Sequence, residues 1–464
     1  MKNIGATTSV TLTHSKWEQQ TGEIPETDFT RFNTICEMKF RTILLSLAVT
    51  GTTTAMAQEA AGENEEEYVA VPERAIVLSG GQNGIHRSVM HVLYDSEVTF
   101  NDPNAPRFLL IDRKGNTLLG IGGYVEGIMQ YDFNGALDSY GMSCFNIAVP
   151  GDPKLKSRFG ADASHTTIVL NLLHKTRLGV LSAYVQGNFS GANYGFKLKQ
   201  AYLRLNHVTF GLTRSTFQDA LATPATIDYT GPCGMIDKKN FLLQYKINTR
   251  SGWGFAVSAE MPSASYTPLE GKSEEINQRV PDIPAYVQYQ WAGGKSHLRA
   301  SAMLRNLSYR DLVAADNRFA TGYGVQFSGG VQCCDPFQVI FQASYGKGIA
   351  SYQESLEGEG LDLLPSATEG KLTAPRSFGF SGGVRIDPCS KVFLTASYSQ
   401  MRLYDQEQLG SDAFRRSNYA VVNVFYNPLE ELQVGMEYLH GRRTDMSGLS
   451  GHVNRLQCMV KYSF

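Results

Sequence analysis

The last ten residues of the chain, 455–464, read RLQCMVKYSF. In an extended strand, successive side chains point to opposite faces. One face of this strand carries Leu456, Cys458, Val460, Tyr462 and Phe464. The other face carries Arg455, Gln457, Met459, Lys461 and Ser463. The pattern predicts a β-strand that separates apolar surroundings on one side from wetter surroundings on the other.

The same alternation recurs in three segments upstream. These are 432–438 (LQVGMEY), 298–305 (LRASAMLR) and 241–247 (FLLQYKI). A Lys or Arg that faces lipid in mid-membrane costs about 2–4 kcal/mol. If the apolar faces contact lipid, the charged side chains of these segments are therefore expected to point inward.

Sixteen strand candidates follow one another along the chain. They lie near 118–132, 163–175, 179–190, 195–206, 208–216, 239–248, 253–261, 283–291, 296–310, 320–332, 337–348, 375–387, 391–401, 417–426, 431–442 and 452–464. Many are long enough for a tilted strand to cross the hydrocarbon layer, which takes about 9–11 residues. In the fourth candidate, Phe196 and Leu198 set one phase while Leu203 and Leu205 set the other, which predicts a β-bulge near Gln200.

The connections between these candidates alternate in length. Short turns such as 175–177, 248–252 and 427–430 alternate with long loops such as 217–238 and 349–374. Outer-membrane barrels require this asymmetry, with short periplasmic turns and long external loops. The sequence therefore predicts an all-β fold, a transmembrane antiparallel β-barrel of about 16 strands, located in the outer membrane of a Gram-negative-type cell.

Composition excludes two other classes of protein. The 42 Lys and Arg nearly balance the 44 Asp and Glu, which argues against nucleic acid as a partner. Outside one N-terminal stretch there is no run of about 18 apolar residues, so helical membrane spans are not expected. The histidines lack metal-ligand spacing and C-x-x-C is absent, so we expect neither a metal nor a cofactor.

The N-terminal part predicts export. Residues 38–57 combine a basic start, an apolar centre and the cleavage motif Ala55-Met56-Ala57, which is typical of a signal peptide. We interpret 1–37 as a mis-assigned start region, 58–117 as a periplasmic N-terminal segment and 118–464 as the outer-membrane barrel. Six cysteines would remain after cleavage near Ala57, an even number that permits disulfides without assigning any pair. The aromatic last residue, Phe464, resembles the C-terminal signal that the barrel-assembly machinery reads.

A barrel of about sixteen strands leaves an aqueous channel. The basic residues predicted to line the pore are Lys197, Lys199, Arg204, Arg214, Lys246, Arg299, Arg305, Arg385, Arg443, Arg455 and Lys461. Inward acids are scarcer, with Glu126 and Glu437 the clearest. A cationic lumen would favour small anionic solutes such as carboxylates. The alternative is that some of these cations pair with Asp or Glu across the wall or lie at the wet rims.

The segment 217–238 is the candidate constriction loop. It follows the fifth strand and carries Asp219, Asp228 and Asp237, and Lys238 and Lys239 at its end could join the basic wall. Folded inward, such a loop would place acids opposite a basic wall. The alternative is an ordinary external loop.

Several motifs share one resemblance. They are Gly122-Gly123-Tyr124, Tyr131-Asp132-Phe133, 194–202 (YGFKLKQAY), 210–219 (FGLTRSTFQD), 226–232 (TIDYTGP) and Asn427-Pro428 with 436–443 (MEYLHGRR). Together they resemble the DcaP-like family of trimeric outer-membrane porins. The resemblance implies a sixteen-strand barrel, a homotrimer and passive uptake of small, often anionic, solutes. The chain departs from the family in 58–107, which shows no coiled-coil heptads.

The sequence is also compatible with functions other than anion uptake. Aromatic residues such as Tyr124, Tyr202 and Trp291 could form a sugar-stacking track, although interfacial girdles explain most of them. A sugar-type or non-selective porin is therefore the main alternative. A barrel hydrolase is disfavoured because neither G-x-S-x-G nor H-E-x-x-H occurs, and an adhesin would have longer external loops. We expect a channel and not an enzyme.

Overall fold

A computed structural model describes residues 76–78, 108–112, 116–137 and 140–464 of the chain. The predicted start region and signal peptide, together with most of 58–107, lie outside the described residues.

Sixteen long strands form the barrel in chain order. They are β1 (Thr117–Asn134), β2 (in two parts, Lys156–Asp162 and Thr167–Thr176), β3 (Gly179–Asn188), β4 (Lys197–Leu205), β5 (Val208–Arg214), β6 (Lys239–Asn248), β7 (Trp253–Glu260), β8 (Ile283–Trp291), β9 (Ser296–Asp311), β10 (Asp316–Cys334), β11 (Phe337–Lys347), β12 (Arg376–Cys389), β13 (Val392–Leu403), β14 (Phe414–Tyr426), β15 (Leu432–Asp445) and β16 (Ser450–Ser463). Each strand pairs antiparallel with the next, and β16 pairs antiparallel with β1. The predicted closed barrel of about 16 strands is confirmed.

The seam of the barrel, where β16 pairs with β1, continues to the last residue of the chain. The Phe464 amide donates to the Gly123 carbonyl at 2.9 Å, and the Gly123 amide donates back to the Phe464 carbonyl at 3.1 Å. Gly123 has φ +149°, and a Cβ there would lie 2.1 Å from the Thr167 carbonyl oxygen. Glycine is therefore required at this point, where β1 lies against the backbone of β2.

A short strand, Phe108–Ile111, extends the sheet beyond the end of β16. It pairs antiparallel with β1, with Phe108 opposite Ile121 and Ile111 opposite Leu118. Ile76–Leu78 pairs with it in parallel. Part of the predicted N-terminal segment thus hydrogen-bonds to the barrel sheet.

The connections alternate in length as the sequence predicts. The short turns at one end are 177–178, 206–207, 249–252, 292–295, 335–336, 390–391 and 427–431. The connections at the other end are 135–155, 189–196, 215–238, 261–282, 312–315, 348–375, 404–413 and 446–449. Two of this second set are brief, and at one of them the β9–β10 hairpin continues beyond the last pairs that it makes with β8 and β11.

The wall alternates between exposed apolar and buried polar residues. In β9, Leu304 is 63% exposed and the neighbouring Arg305 is 3% exposed. β4 carries the predicted bulge: Gln186 pairs with Gln200 and Gly187 with Leu198, so Lys199 is the extra residue. The bulge switches the phase of β4, which explains why its two halves present apolar side chains at different parities.

The apolar residues inside the barrel come from both loops and strands. Met142, Cys144 and Ile147 of the 135–155 loop pack with Cys233 of the 215–238 loop and with inward residues of β13–β16. On the outer surface near the short turns, the ring centroids of Trp253 and Tyr289 are 5.0 Å apart, as in an interfacial aromatic girdle. Among the described residues, no helix is long and apolar enough to cross a membrane.

Candidate functional site

The 215–238 loop folds into the barrel interior and reaches the wall formed by β9 and β10. The Asp219 carboxylate lies 2.9 Å from His297 Nε2 and accepts a hydrogen bond from Ser328 Oγ at 2.6 Å. Burial by itself would raise the pKa of Asp219, but the hydrogen bond from His297 and the charge of Arg299 hold that pKa below its ordinary value. Asp219 is completely buried. This side chain therefore attaches the loop to the wall and has no exposed surface.

A second attachment joins the loop to β14 and β15. Glu437 accepts hydrogen bonds from the backbone amides of Ile227 at 2.7 Å and Asp228 at 2.8 Å. Asn423 donates to the Ala225 carbonyl at 2.9 Å and to Glu437 at 2.9 Å. Glu437 points inward as predicted, and its carboxylate is occupied by the loop backbone.

The third attachment uses Asp228 itself. Its carboxylate accepts from the Tyr419 hydroxyl at 3.0 Å and from the Met142 amide, in the 135–155 loop, at 2.9 Å. Burial raises the pKa of Asp228 above its ordinary value. Asp219 and Asp228 were expected to lie opposite a basic wall as acids of a constriction loop. Asp219 does lie against His297 and Arg299, but both carboxylates are buried and accept the hydrogen bonds that hold the loop.

Backbone packing brings the loop against β12 and β13 with almost no gap. A Cβ on Gly234 would lie 2.2 Å from the Gln400 carbonyl oxygen and 2.5 Å from that of Phe380. The Gly234 amide donates to Ser399 Oγ at 2.8 Å. Contacts on β9–β15 therefore hold most of the loop, while Tyr229 reaches the opposite side of the interior and stacks on His165 with ring centroids 3.8 Å apart.

Open space remains on the other side of the loop, next to β3–β6. One cavity there has a volume of about 390 Å³, and its polar lining includes Gln186, Lys199, Arg214, Tyr229, Asp237 and Lys239. A second cavity of about 350 Å³ is lined by Lys197, Lys199, Tyr229, Asp237, Lys238, Lys239 and Glu357. Together the two linings contain five cations and two carboxylates.

Three of these cations make no ion pair within the part of the chain that the structure describes. They are Lys197, Lys199 and Arg214. Lys199 lies over the Tyr229 ring, with Nζ 4.8 Å from its centroid. By contrast, Lys238 contacts Glu357 at 2.6 Å and Lys239 contacts Asp237 at 3.9 Å. The space beside β3–β6 therefore carries an excess of positive charge.

Two arginines expected in the open pore are buried in ion pairs. Arg305 contacts Asp282 at 3.0 Å and Asp362 at 2.9 Å, and its side chain is wholly buried. Arg455 contacts Asp132 at 2.5 Å, and both side chains are wholly buried. Here the alternative interpretation, pairing with acids, is the one the structure supports. An arginine can be buried at this depth only with its charge matched and its N–H groups satisfied.

The other basic candidates have mixed surroundings. Arg299 donates to Gln288 and to the Gln218 carbonyl and lies over Tyr286. Arg385 and Arg443 pair with Asp387 and Asp445, each at 2.8 Å. Lys461 lies over Tyr124 in a cavity of about 300 Å³ that also contains Glu126. Arg204 and Lys246 are partly exposed and have partners of their own.

The sequence interpretation missed most of the acids that neutralise the wall. Asp132 lies on the inward parity of β1, so alternation could have revealed it. Asp282 and Asp362 belong to segments between strands, and no local pattern points to their contact with Arg305. Glu357, which faces the basic cavity, also belongs to a loop.

A closed sixteen-strand barrel with an interior loop and a charged lumen defines the class of outer-membrane porin channels. The chain belongs to the porin subfamily, which it matches over residues 116–455. The resemblance stated from the sequence is thereby confirmed in family and fold, and the protein is an outer-membrane channel.

Several solved structures are similar to this chain, and the first of them shares its fold. The outer membrane channel DcaP of Acinetobacter baumannii aligns with TM-score 0.67 and 22% identity, over 76% of this chain and 99% of that one. An anion-selective porin from Comamonas acidovorans aligns with TM-score 0.47 and 10% identity, over 75% and 100%. Salmonella typhi OmpF aligns with TM-score 0.48 and 10% identity, over 76% and 99%. No curated protein matches the sequence.

Proposed function

We propose that this porin is a passive diffusion channel for small hydrophilic anions, such as carboxylates. The observation that carries the proposal is the excess of cations beside β3–β6. Lys197, Lys199 and Arg214 face open space there without a matched carboxylate among the described residues. Unneutralised charge on a pore wall raises the local concentration of ions of opposite sign.

The 215–238 loop acts in this proposal as the constriction. Its attachments to β9–β15 leave the passage between the loop and β3–β6, so a solute meets Asp237 and Lys238 of the loop on one side. Lys199, Arg214 and Lys239 lie on the wall, where Arg214 of β5 pairs with Lys239 of β6. Because the wholly buried arginines are already paired, they add little to the field in the passage. Selectivity therefore depends on a few residues of β4–β6.

A planar-bilayer measurement under a salt gradient tests the proposal. We expect the reversal potential of the wild type to show preference for chloride over potassium. Replacing both Lys199 and Arg214 by Gln should lower the anion-to-cation permeability ratio by about two- to fivefold at low salt, since a charge a few ångström away is worth about 1 kcal/mol in water.

Lys154→Gln serves as the matched control because Lys154 is exposed in the 135–155 loop. That variant should retain the wild-type ratio. Cation preference in the wild type, or an equal change in the control, would contradict the proposal.

A sugar-transporting channel is the second candidate. Tyr124 and Tyr229 line the interior cavities, and Tyr184 stacks on Tyr202 at 5.1 Å on β3 and β4. Aromatic faces of this kind bind sugar rings. Block of the ion current by neutral oligosaccharides, with no anion preference, would favour this second function.

We further propose assembly as a homotrimer in outer-membrane lipid. The barrel wall is low at β5 and β7, which have 7 and 8 residues, below the 9–11 or so that a lipid-facing strand needs. Large apolar side chains nevertheless cover this low wall, including Leu203, Phe210 and Phe255. A neighbouring copy would cover the low wall with protein.

Export and insertion complete the proposal. Cleavage of the signal peptide near Ala57 would release the mature chain into the periplasm. Phe464 would then be read by the barrel-assembly machinery. Its backbone pairs with Gly123, so the residue that is read also completes the seam of the barrel.

A further inference from the structure

Two cysteines from different loops lie together in the interior. Cys144 belongs to the 135–155 loop and Cys233 to the 215–238 loop. Both are completely buried free thiols. Cys144 Sγ lies 3.7 Å from the Asn418 carbonyl oxygen, and Cys233 Sγ lies 3.8 Å from Ser399 Oγ on the adjacent strand. The other four cysteines of the described residues are exposed or partly exposed. Cys144 and Cys233 are thus the one wholly buried pair among the cysteines that the structure describes.

Independent contacts bring the same two loops together. The Met142 amide donates to Asp228, and a Cβ on Gly141 would lie 2.0 Å from Thr230 Oγ1. Both cysteines pack in one apolar cluster with Met142, Leu356 and other buried residues. The juxtaposition therefore belongs to a packed contact between the loops, and a bond between the sulfurs would reinforce it.

We propose that Cys144 and Cys233 form a disulfide in the mature protein, which links the 135–155 loop to the loop in the lumen. The location makes this chemistry available, because an exported chain passes through an oxidising compartment. The bond goes beyond the channel function, and it would exist whatever solute the channel carries.

The oxidant is a protein disulfide of the periplasm. One cysteine attacks that disulfide as its thiolate, forms a mixed disulfide and expels the first thiol of the oxidant. The second cysteine attacks the sulfur of its partner and expels the second thiol. The protein loses two protons and two electrons, and the oxidant gains them.

Burial determines when the exchange takes place. In the folded barrel neither sulfur has exposed surface. An oxidant can therefore reach the pair only before the 215–238 loop packs inside the barrel. The same burial then protects the bond from reductants in the medium. The disulfide would connect the 135–155 loop covalently to the 215–238 loop, which narrows the channel.

Peptide mapping of the protein purified from oxidising outer membranes tests the proposal. Thiols are blocked with N-ethylmaleimide in denaturant before any reductant is added, and the protein is then digested with trypsin. Cleavage gives peptides 115–154 and 215–238, each with a single cysteine. We expect these two peptides linked, with a mass lower by two hydrogen atoms than their sum, and separated after reduction.

Two further measurements sharpen the result. A water-soluble phosphine reductant should leave the linked pair intact in folded protein and should cleave it in denaturant. Cys144→Ala should abolish the linked pair, whereas Cys458→Ala, which removes a partly exposed cysteine, should leave it unchanged. Recovery of both cysteines as singly alkylated thiols in the wild type, or of Cys144 linked to any other cysteine, would overturn the proposal.

Discussion

Charges inside this barrel fall into two kinds with different consequences. Arg455 is wholly buried, with Asp132 at 2.5 and 3.1 Å and the Tyr140 carbonyl at 3.0 Å. Lys199 faces open space beside β4. A buried, paired charge contributes little field outside its pair, whereas an unpaired one acts on every ion that passes. Counting inward basic residues therefore overestimates the charge that a solute meets.

We expect Arg455→Met to destabilise the barrel by about 3–5 kcal/mol, because Asp132 would remain buried without a counter-charge. The comparison is Arg385→Gln, whose pair with Asp387 is about one-third exposed. That change should cost about 0–1 kcal/mol. The measurement is urea-induced unfolding in lipid vesicles. Equal losses in the two variants would show that burial of the pair does not matter.

The 215–238 loop is held inside the barrel by hydrogen bonds of its own backbone as much as by those of its side chains. Its amides and carbonyls bond to Glu437, Asn423, Ser399 and Gln342, which belong to four different strands. Burying irregular backbone is costly unless its polar groups are satisfied. The inward side chains of β11–β15 meet this requirement, and the loop can therefore remain inside the barrel.

Gly234→Val tests how tightly the loop is seated. The new side chain would collide with the backbone of β12 and β13. We expect a loss of about 1–3 kcal/mol in stability and a lower single-channel conductance, because the loop can move only into the cavities beside β3–β6. The control is Gly127→Val, where a Cβ meets nothing within 4 Å. Wild-type conductance in Gly234→Val would contradict a fixed loop.

The strands differ in length around the barrel, so the wall is low at β5 and high at β10. β5 spans 7 residues, whereas β10 spans 19. Phe210 on β5 is 50% exposed and Phe327 on β10 is 51% exposed, so the two rings differ in position and not in exposure. In a trimer built on the low wall, only Phe210 would contact another copy.

Phe210→Ser is therefore expected to weaken the trimer. Unboiled protein on a denaturing gel should shift from trimer-sized to monomer-sized migration. Phe327→Ser should lose a similar apolar area to lipid and keep the trimer band. A monomer-sized band for the wild type in mild detergent would refute the assembly, and loss of the band in both variants would refute the low wall as its site.

Alternation and connection lengths were sufficient to predict the barrel. All sixteen predicted strands occur, and the bulge predicted near Gln200 lies at Lys199. The reason is that alternate residues of every strand face lipid and water. The order of apolar and polar residues within each strand therefore indicates which side faces lipid.

Which inward charges are neutralised depends on contacts between distant segments. Arg305 meets Asp282 and Asp362, and Asp219 meets His297, across 23 to 78 residues of chain. Alternation states only which side of the wall a residue faces. Partners across the lumen are decided by how the loops fold inward, because ion pairing and hydrogen bonding depend on distances that no local pattern contains.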